Sequence, residues 1–136
     1  MAELVREIVI DATPETIWPL LTESDRYPEW IGTAAEIDAR PGGIYRVSVK
    51  GQHRALGEFV EVVPLQKLVF TFGWNEPDHP IPSGSTTVEI TLHPEGEKTL
   101  VRLVHSGLPA DALEDHGGGW AELLEQLAAT APNARS

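Results

Sequence analysis

The chain has 136 residues and no cysteine, and its 21 acidic against 10 basic residues give it a net charge of -11. A chain of this length is expected to form one domain, spanning residues 1–136 with a frayed end over 131–136. Without cysteine the sequence offers no disulfide, thiolate metal site or cysteine nucleophile, so a cytoplasmic location is the expectation.

Charge and hydropathy also exclude several kinds of partner. The basic residues are scattered singly, and a nucleic-acid interface needs a basic patch to displace counterions from phosphates. An acidic chain is repelled by anionic lipid surfaces, and no apolar run approaches the roughly 20 residues that cross a bilayer. The first residues, MAELVREIVIDATPE, include acids and do not resemble a secretory signal. We therefore expect neither nucleic acid nor membrane as a partner.

The first part of the chain predicts a strand followed by a helix. Residues 3–11 alternate between apolar and charged, as a half-buried strand does. Thr13 as N-cap and Pro14 at the first helical position predict a helix that runs to about Thr22. A second short helical turn is expected from Ser24.

Short alternating segments fill the middle of the chain. They predict six strands, at residues 35–40, 44–50, 55–63, 68–74, 86–93 and 99–106. Pro41, Gly42 and Gly43 favour a tight hairpin between the first two. Residues 75–84 contain three prolines and a glycine and predict a long loop, either a lid or a rim.

The last segment, residues 109–131, has the periodicity of an amphipathic helix. One face carries Leu113, His116, Trp120, Leu123, Leu124 and Leu127. Three interior glycines, Gly117 to Gly119, would cost roughly 2 to 3 kcal/mol relative to alanine. Either they let the helix approach the sheet or a ligand closely, which we favour, or the helix breaks and is regular only from Trp120.

This order of elements predicts an α+β fold, because the turns between strands are too short for parallel crossovers. The expected arrangement is a strand, a pair of helices, six strands and a long helix. An antiparallel sheet of about seven strands curls around a helix laid across it, and the space between them is the place to look for function.

Five segments carry a resemblance to a known family. They are VIDATPETIWPLLTES, PGGIYRV, GEFVEVVPLQKLVFTFGW, LVRLVHSGL and HGGGWAELLEQL. The chain resembles the SRPBCC superfamily of START-like helix-grip proteins, in the branch similar to the C-terminal domain of the activator of heat-shock protein 90 ATPase. The resemblance implies an apolar cavity between sheet and terminal helix, used for small hydrophobic molecules and in some members for cyclase chemistry. A chaperone partner is expected less, since the eukaryotic co-chaperone binds through a separate N-terminal domain for which 136 residues leave no room.

His105 shares a strand face with Val101 and Leu103, so its imidazole is expected to point inward. It is either a hydrogen-bonding group or proton donor in a cavity, or a buried histidine bonded to backbone at the end of its strand. Ser106 faces the opposite way and cannot pair with it as a nucleophile.

His116 precedes Trp120 by four residues and would point at the sheet with it on a continuous helix. Alternatively it lies on an exposed shoulder beside Glu114 and Asp115. No metal site is predicted, because zinc needs three or four ligands with a local spacing that does not occur here. No cofactor is predicted either, since both nucleotide-binding glycine motifs are missing.

Aromatic residues are the other candidates for a binding site, although large side chains in a small domain more often fill the core. The predicted ligand-binding set is Trp30, Tyr45, Phe59, Phe72, Trp74, Leu103, His105, His116 and Trp120. Trp74, next to the proline-rich loop, is expected at an entrance. Charged residues on the strands, Arg46, Glu58, Glu61 and Arg102, are expected on an outer face with ion pairs across strands.

We therefore expect a domain that binds a small hydrophobic molecule between sheet and helix, and we assign no catalytic residue. One alternative is a cyclase- or dehydratase-like enzyme that uses a cavity histidine. Another is a protein-interaction module similar to the co-chaperone. A homodimer through an edge strand is also open, because an open sheet has two edges.

Overall fold

A computed structural model of the chain describes residues 2–24, 26, 34–49, 53–74, 84–108 and 113–131. For residues 2, 34, 49, 53, 54, 108 and 113–119 it describes the backbone alone. Within these ranges the elements are β1 (Ala2–Ile10), α1 (Pro14–Thr22), β2 (Ala34–Ile37), β3 (Ile44–Val49), β4 (His53–Val63), β5 (Lys67–Phe72), β6 (Thr86–Glu95), β7 (Lys98–Leu108) and α2 (Leu113–Thr130). The predicted turn after Ser24, most of the predicted loop at 75–84, and residues 109–112 and 132–136 lie outside the described residues.

The strands form one antiparallel sheet in the order β1-β7-β6-β5-β4-β3-β2. From β2 to β7 each strand pairs with its neighbour along the chain, and β1 then pairs with β7. The predicted α+β class and seven-stranded sheet are confirmed. Because β1 pairs with the last strand, both stay close to the helix that follows.

The inner face of the sheet follows from strict alternation of side chains. On β5, β6 and β7 the buried positions are Leu68, Phe70, Phe72, Thr86, Val88, Ile90, Leu92, Thr99, Val101, Leu103 and His105. The residues between them are half-buried or exposed, as the period of two requires. This face and the buried residues of the two helices form one core.

Helix α1 begins and ends where the sequence predicts. Thr13 has the extended backbone of an N-cap, with φ -80° and ψ 162°, but its hydroxyl makes no capping bond to the backbone. Its Oγ1 lies 3.4 Å from Oγ1 of Thr16 instead. Just beyond the helix, the Ser24 hydroxyl accepts from the amide of Ile37 at 2.8 Å and donates to its carbonyl at 3.1 Å. Ser24 therefore satisfies the backbone of Ile37 at the outer edge of β2, where a further strand would otherwise pair.

The predicted turn at residues 41–43 is confirmed. Gly42 has φ +84°, a left-handed conformation that favours glycine. A Cβ on Gly43 would collide with the carbonyl oxygen of Asp38. Both glycines are thus required by the backbone, one for its angle and one for space.

Helix α2 is continuous through Gly117 to Gly119 over its 18 residues, as the favoured interpretation predicts. Its buried residues include Trp120, Leu124 and Leu127, which lie on the predicted face, and Leu123 is half-buried. Ala131, just after the helix, is fully buried. Packing of this apolar face against the sheet offsets the helix-weakening effect of the glycines.

Candidate functional site

His105 lies on the inner face of β7, as the alternation predicts, and its side chain is fully buried. Its register neighbours are Leu4 on β1 and Val88 on β6, both buried and apolar. A buried imidazole in apolar surroundings needs hydrogen-bond partners, because leaving its polar atoms unpaired would cost free energy.

Three hydrogen bonds in series meet this need and join helix α2 to three strands. The indole Nε1 of Trp120 donates to Nδ1 of His105 at 3.0 Å. On the other side of the ring, Nε2 lies 2.7 Å from Oγ1 of Thr86. The Thr86 hydroxyl in turn donates to the carbonyl oxygen of Phe72 at 2.6 Å. We refer to Trp120, His105, Thr86 and the Phe72 carbonyl as the histidine relay.

The two ends of the histidine relay fix which atom donates and which accepts in each of its hydrogen bonds. An indole N–H only donates and a carbonyl oxygen only accepts. Nδ1 of His105 is therefore the acceptor, Nε2 carries the proton, and this N–H donates to Thr86. The geometry assigns His105 to the neutral Nε2–H tautomer, with each ring nitrogen already engaged.

This geometry combines the two interpretations that the sequence left open. His105 is a satisfied buried histidine, but its partners are side chains of β6 and α2 rather than backbone at the strand end. To act as a general base it would first have to release the Trp120 N–H. The relay is therefore better suited to holding α2 in place than to transferring protons.

Around the histidine relay lies an aromatic group centred on Phe72, which we call the Phe72 cluster: Phe72, Trp74, His105 and Trp120. The ring centroid of Phe72 lies 5.4 Å from that of Trp74, 5.1 Å from that of His105 and 5.8 Å from that of Trp120. The first two pairs are edge-to-face, with interplanar angles of 80° and 82°. Edge-to-face packing is the favoured geometry for such rings, so the cluster is a defined arrangement of aromatic surface.

Other predicted site residues belong to the closed part of the core. Tyr45 stacks on Phe70 at 4.1 Å, and Phe59 contacts both rings. These three side chains are 1–2 % exposed, and Leu103 is fully buried. Tyr45 reaches Phe72 at 6.3 Å, so the closed core and the Phe72 cluster are continuous.

Trp74 is the half-buried member of the Phe72 cluster. It follows the end of β5 and is held to β4 by an isolated bridge to Ala55. The entrance expected at this residue stays a prediction. Trp30, another predicted site residue, lies outside the described residues, as does the side chain of His116.

Two threonines were missed by the sequence analysis: Thr86 on the inner face beside the Phe72 cluster, and Thr71 on the outer face of the sheet. Thr86 takes an inward position in the alternation of β6, and that pattern was the available signal. Thr71 faces outward on β5, and its Oγ1 accepts the amide of Glu58 at 2.9 Å, where a backbone ladder bond would be expected. A Cβ on Gly57 would collide with the Thr71 carbonyl, so β4 and β5 approach unusually closely there.

A shallow pocket of about 300 Å³ lies at the same place, lined by Leu56, Gly57, Glu58, Thr71 and Gly84. Its side chains are those that alternate away from the core, so it opens on the outer side of the sheet. It is separate from the predicted space between sheet and helix.

The charged residues on the strands lie outside, as expected. Cross-strand ion pairs join Arg46 to Glu36 at 2.9 Å, Lys67 to Glu61 at 3.4 Å and Arg102 to Glu7 at 3.6 Å. All are exposed or half-exposed, where such pairs contribute about 0–1 kcal/mol each. They define the outer face without forming a site.

The described part of the chain holds neither a metal-binding group of side chains nor a helix that could span a membrane. None of its histidine, aspartate and glutamate side chains form a group of three that would hold a metal ion. None of its helices is long and apolar enough to span a membrane. The cytoplasmic location stays a prediction.

The chain is similar to a known protein family and to several solved structures. A family model described as "Activator of Hsp90 ATPase homolog 1-like protein" matches residues 11–131. No curated protein sequence matches the chain. Among solved structures, a Rhizobium etli protein described as AHSA1-like is 40% identical, with a TM-score of 0.76 over 96% of this chain and 81% of its own.

Two more distant structures share the fold over nearly the whole length. A protein of Mesorhizobium loti has 23% identity and a TM-score of 0.87, covering 99% of this chain and 100% of its own. The Aha1 dimer from Colwellia psychrerythraea has 20% identity and a TM-score of 0.83, covering 100% of both chains. The helix-grip fold expected from the sequence is thereby confirmed, and the homodimer stays a prediction.

Proposed function

Because the chain belongs to the Activator of Hsp90 ATPase homolog 1-like family, we propose that it binds a small, largely apolar molecule between the sheet and helix α2. The proposal locates binding at the Phe72 cluster, next to the closed core around Tyr45 and Phe70. Leu103, Tyr45 and Phe59 then belong to the buried core beneath the site.

The observation that carries the proposal is the change in exposure along this aromatic surface. The side chains of Phe70 and Phe72 are only 1% and 4% exposed. Trp74, in edge-to-face contact with Phe72, is half-buried. Aromatic surface that continues from a core to the exterior offers an apolar molecule a place to bind without disrupting the fold.

The histidine relay supports the same proposal by fixing the walls of the site. It holds Trp120 of α2, His105 of β7 and the Phe72 carbonyl of β5 in one hydrogen-bonded series. A site whose walls are held in advance loses less entropy when it binds a ligand.

The test uses N-phenyl-1-naphthylamine, an uncharged probe whose fluorescence rises in apolar surroundings. We expect saturable binding to the intact chain, and at least tenfold weaker binding to Trp74→Ala. Val9→Ala is the control, because Val9 is 51% exposed on the outward face of β1. Absence of saturable binding, or equal losses in the two variants, would contradict the proposal.

A second candidate function is protein interaction of the kind that the family description names. The observation in its favour is that Val5 and Val9, 36% and 51% exposed, both face outward on edge strand β1. The expected result is that the chain raises the ATPase rate of purified Hsp90 and that Val5→Ser with Val9→Ser removes the effect. An unchanged ATPase rate with the intact chain would exclude it.

A further inference from the structure

We propose that the free edge of strand β1 binds an extended segment of a partner protein in which the outward side chains alternate between apolar and basic residues. The bound segment adds one more antiparallel strand to the sheet, held by main-chain hydrogen bonds. This binding is independent of the ligand between sheet and helix. It rests on the second candidate function, protein interaction, for which it supplies the binding edge and the chemistry of the partner.

The two edges of the sheet differ in how their backbone is satisfied. At the β2 edge the Ser24 hydroxyl bonds both the amide and the carbonyl of Ile37. Strand β1 is nine residues long and contains no proline, and its register on β7 shifts only between Ala2 and Glu3. No described strand pairs with β1 on its other side. A long and regular edge of this kind is a template for a further strand.

The alternation of hydrogen bonds across the sheet determines which backbone groups face this edge. The amide of Leu92 donates to the carbonyl of Gln66 at 2.9 Å, so even-numbered residues of β6 bond to β5 and odd-numbered ones to β7. The registers of β6 on β7 and of β1 on β7 then direct the even-numbered residues of β1 to β7. The N–H and C=O groups of Val5, Glu7 and Val9 therefore point to the free edge.

Arg6 provides a hydrogen-bond donor at this edge in place of a neighbouring strand. Its Nη1 donates to the carbonyl oxygen of Val5 at 2.8 Å, in an exposed position. Since this carbonyl is one of the free-edge groups, the guanidinium takes the position that an amide of an added strand would occupy. Arg6 is thus a side-chain cap on the edge, and a partner strand would displace it into water.

The side chains on the outer face of this edge alternate between acidic and apolar. They are Glu3, Val5, Glu7 and Val9, and all four are exposed. Glu7 also pairs with Arg102 of β7 at 3.6 Å. Cross-strand pairs stabilise a sheet when apolar residues face each other and acids face bases. A segment that alternates basic and apolar residues matches this pattern, and the net charge of -11 attracts it over a longer range.

A second copy of the chain is a poorer match for the same edge. Antiparallel self-pairing centred on Val5 places Glu3 opposite Glu7. Centring on Arg6 places two arginines opposite each other, and centring on Glu7 does the same with two glutamates. Like charges directly opposite each other destabilise a sheet, and each copy carries a net charge of -11. These features favour a segment of a different, basic partner.

The test adds the peptide VTKTVTK to the isotope-labelled chain and measures amide exchange with solvent by NMR. Laid antiparallel to β1, the peptide places its lysines opposite Glu7 and Glu3 and its valines opposite the two valines. At saturating peptide we expect exchange to slow at least fivefold at the amides of Val5, Glu7 and Val9. The amide of Ile8, which already bonds to β7, is expected to change less than twofold.

The matched control peptide is VTETVTE, which keeps the backbone and reverses both charges. We expect it to bind at least tenfold more weakly than VTKTVTK. Equal binding of the two peptides would overturn the basic character of the partner. If VTKTVTK leaves the three free-edge amides unprotected, strand addition itself is overturned.

A proline variant tests whether the free-edge N–H groups make the contact. Val5→Pro removes one of them without breaking a bond to β7, so β1 is expected to remain in the sheet. We expect Val5→Pro to weaken binding of VTKTVTK at least tenfold. Val5→Ala, which loses the side chain but keeps the N–H, is expected to lose at most threefold. Equal losses would overturn main-chain pairing at this edge, and the peptide comparison decides the matter if Val5→Pro fails to fold.

A second pair of variants tests the cap. Arg6→Met removes the guanidinium but keeps a long side chain, and we expect VTKTVTK to bind at least threefold more tightly. Arg46→Met makes the same charge change on β3, far along the sheet from β1, and is expected to change binding less than twofold. Equal gains would overturn the role of Arg6 as a cap.

Two further outcomes separate this inference from its alternatives. If the chain alone forms a dimer in sedimentation experiments and the dimer protects the same three amides, the choice of a basic partner is overturned in favour of a second copy. If the intact chain raises the Hsp90 ATPase rate but VTKTVTK protects none of these amides, protein interaction stands and this inference fails. Protection by the peptide without any effect on the ATPase supports the inference and excludes the second candidate function as stated.

Discussion

The indole Nε1 of Trp120 donates to Nδ1 of His105 at 3.0 Å, and this bond joins helix α2 to the inner face of strand β7. Both side chains are buried, at 3% and 0% exposure. The bond also decides which nitrogen of the imidazole carries the proton, and so it governs both the packing of the helix and the chemistry available to the histidine.

We expect Trp120→Phe to lower the free energy of unfolding by about 1–3 kcal/mol, because it leaves the buried Nδ1 of His105 without its donor. Urea denaturation measures the change. Trp18→Phe is the control, since Trp18 is half-buried on α1 and packs against the core from there. A loss no larger than that of Trp18→Phe would mean that the bond contributes little.

The histidine relay predicts that His105 is the neutral Nε2–H tautomer at neutral pH. Long-range proton–nitrogen correlation NMR of the imidazole distinguishes this form from the Nδ1–H tautomer and from the cation. Trp120→Phe removes the indole N–H that makes Nδ1 of His105 an acceptor, so we expect the preference for the Nε2–H tautomer to weaken. An Nδ1–H signal in the intact chain would contradict the assigned direction of the relay.

The outward Thr71 hydroxyl accepts the Glu58 amide at 2.9 Å. Thr71→Val removes this acceptor, so we expect faster exchange of the Glu58 amide with solvent and a loss of about 1 kcal/mol in stability. Thr87→Val is the matched control, because Thr87 is the register partner of Thr71 within the continuous β5–β6 ladder. Comparable exchange rates of the Glu58 amide in both variants would show that the hydroxyl does not hold the two strands together.

Leu65, in the turn between β4 and β5, has φ +66° and is 36% exposed. A left-handed backbone costs a residue with a Cβ roughly 1–2 kcal/mol. We therefore expect Leu65→Gly to be about 1 kcal/mol more stable than Leu65→Ala, which loses the same side chain but keeps the strain. Thermal unfolding of the two variants measures the difference, and equal midpoints would show that the turn relaxes without cost.

Much of the fold was predictable because the relevant signals are local. Pro14 after Thr13 marked the start of α1, and Gly42 with Gly43 marked the first hairpin. The alternation through Val101, Leu103 and His105 gave the inward face of β7 correctly. In each case neighbouring residues reveal which backbone angle is required or which face is buried.

The candidate site was predictable only in part. The sequence singled out Phe72, Trp74, His105 and Trp120, which the fold brings together, but grouped them with Tyr45 and Phe59, which lie in the closed core. Thr86 was missed, although it bonds both His105 and the Phe72 carbonyl. Periodicity shows that a side chain points inward but does not show which other inward side chain it meets.

The sequence by itself determined the order of strands and helices, the inner and outer faces of the sheet, and the lack of disulfide bonds, since each depends on residue type and on neighbours along the chain. Only the tertiary structure decided that Trp120 donates a hydrogen bond to Nδ1 of His105, that Thr86 accepts one from Nε2, and that Trp74 is half-buried beside Phe72. These relationships depend on the register between strands and on where helix α2 crosses them. Both are set by packing of the whole core, which no short stretch of sequence specifies.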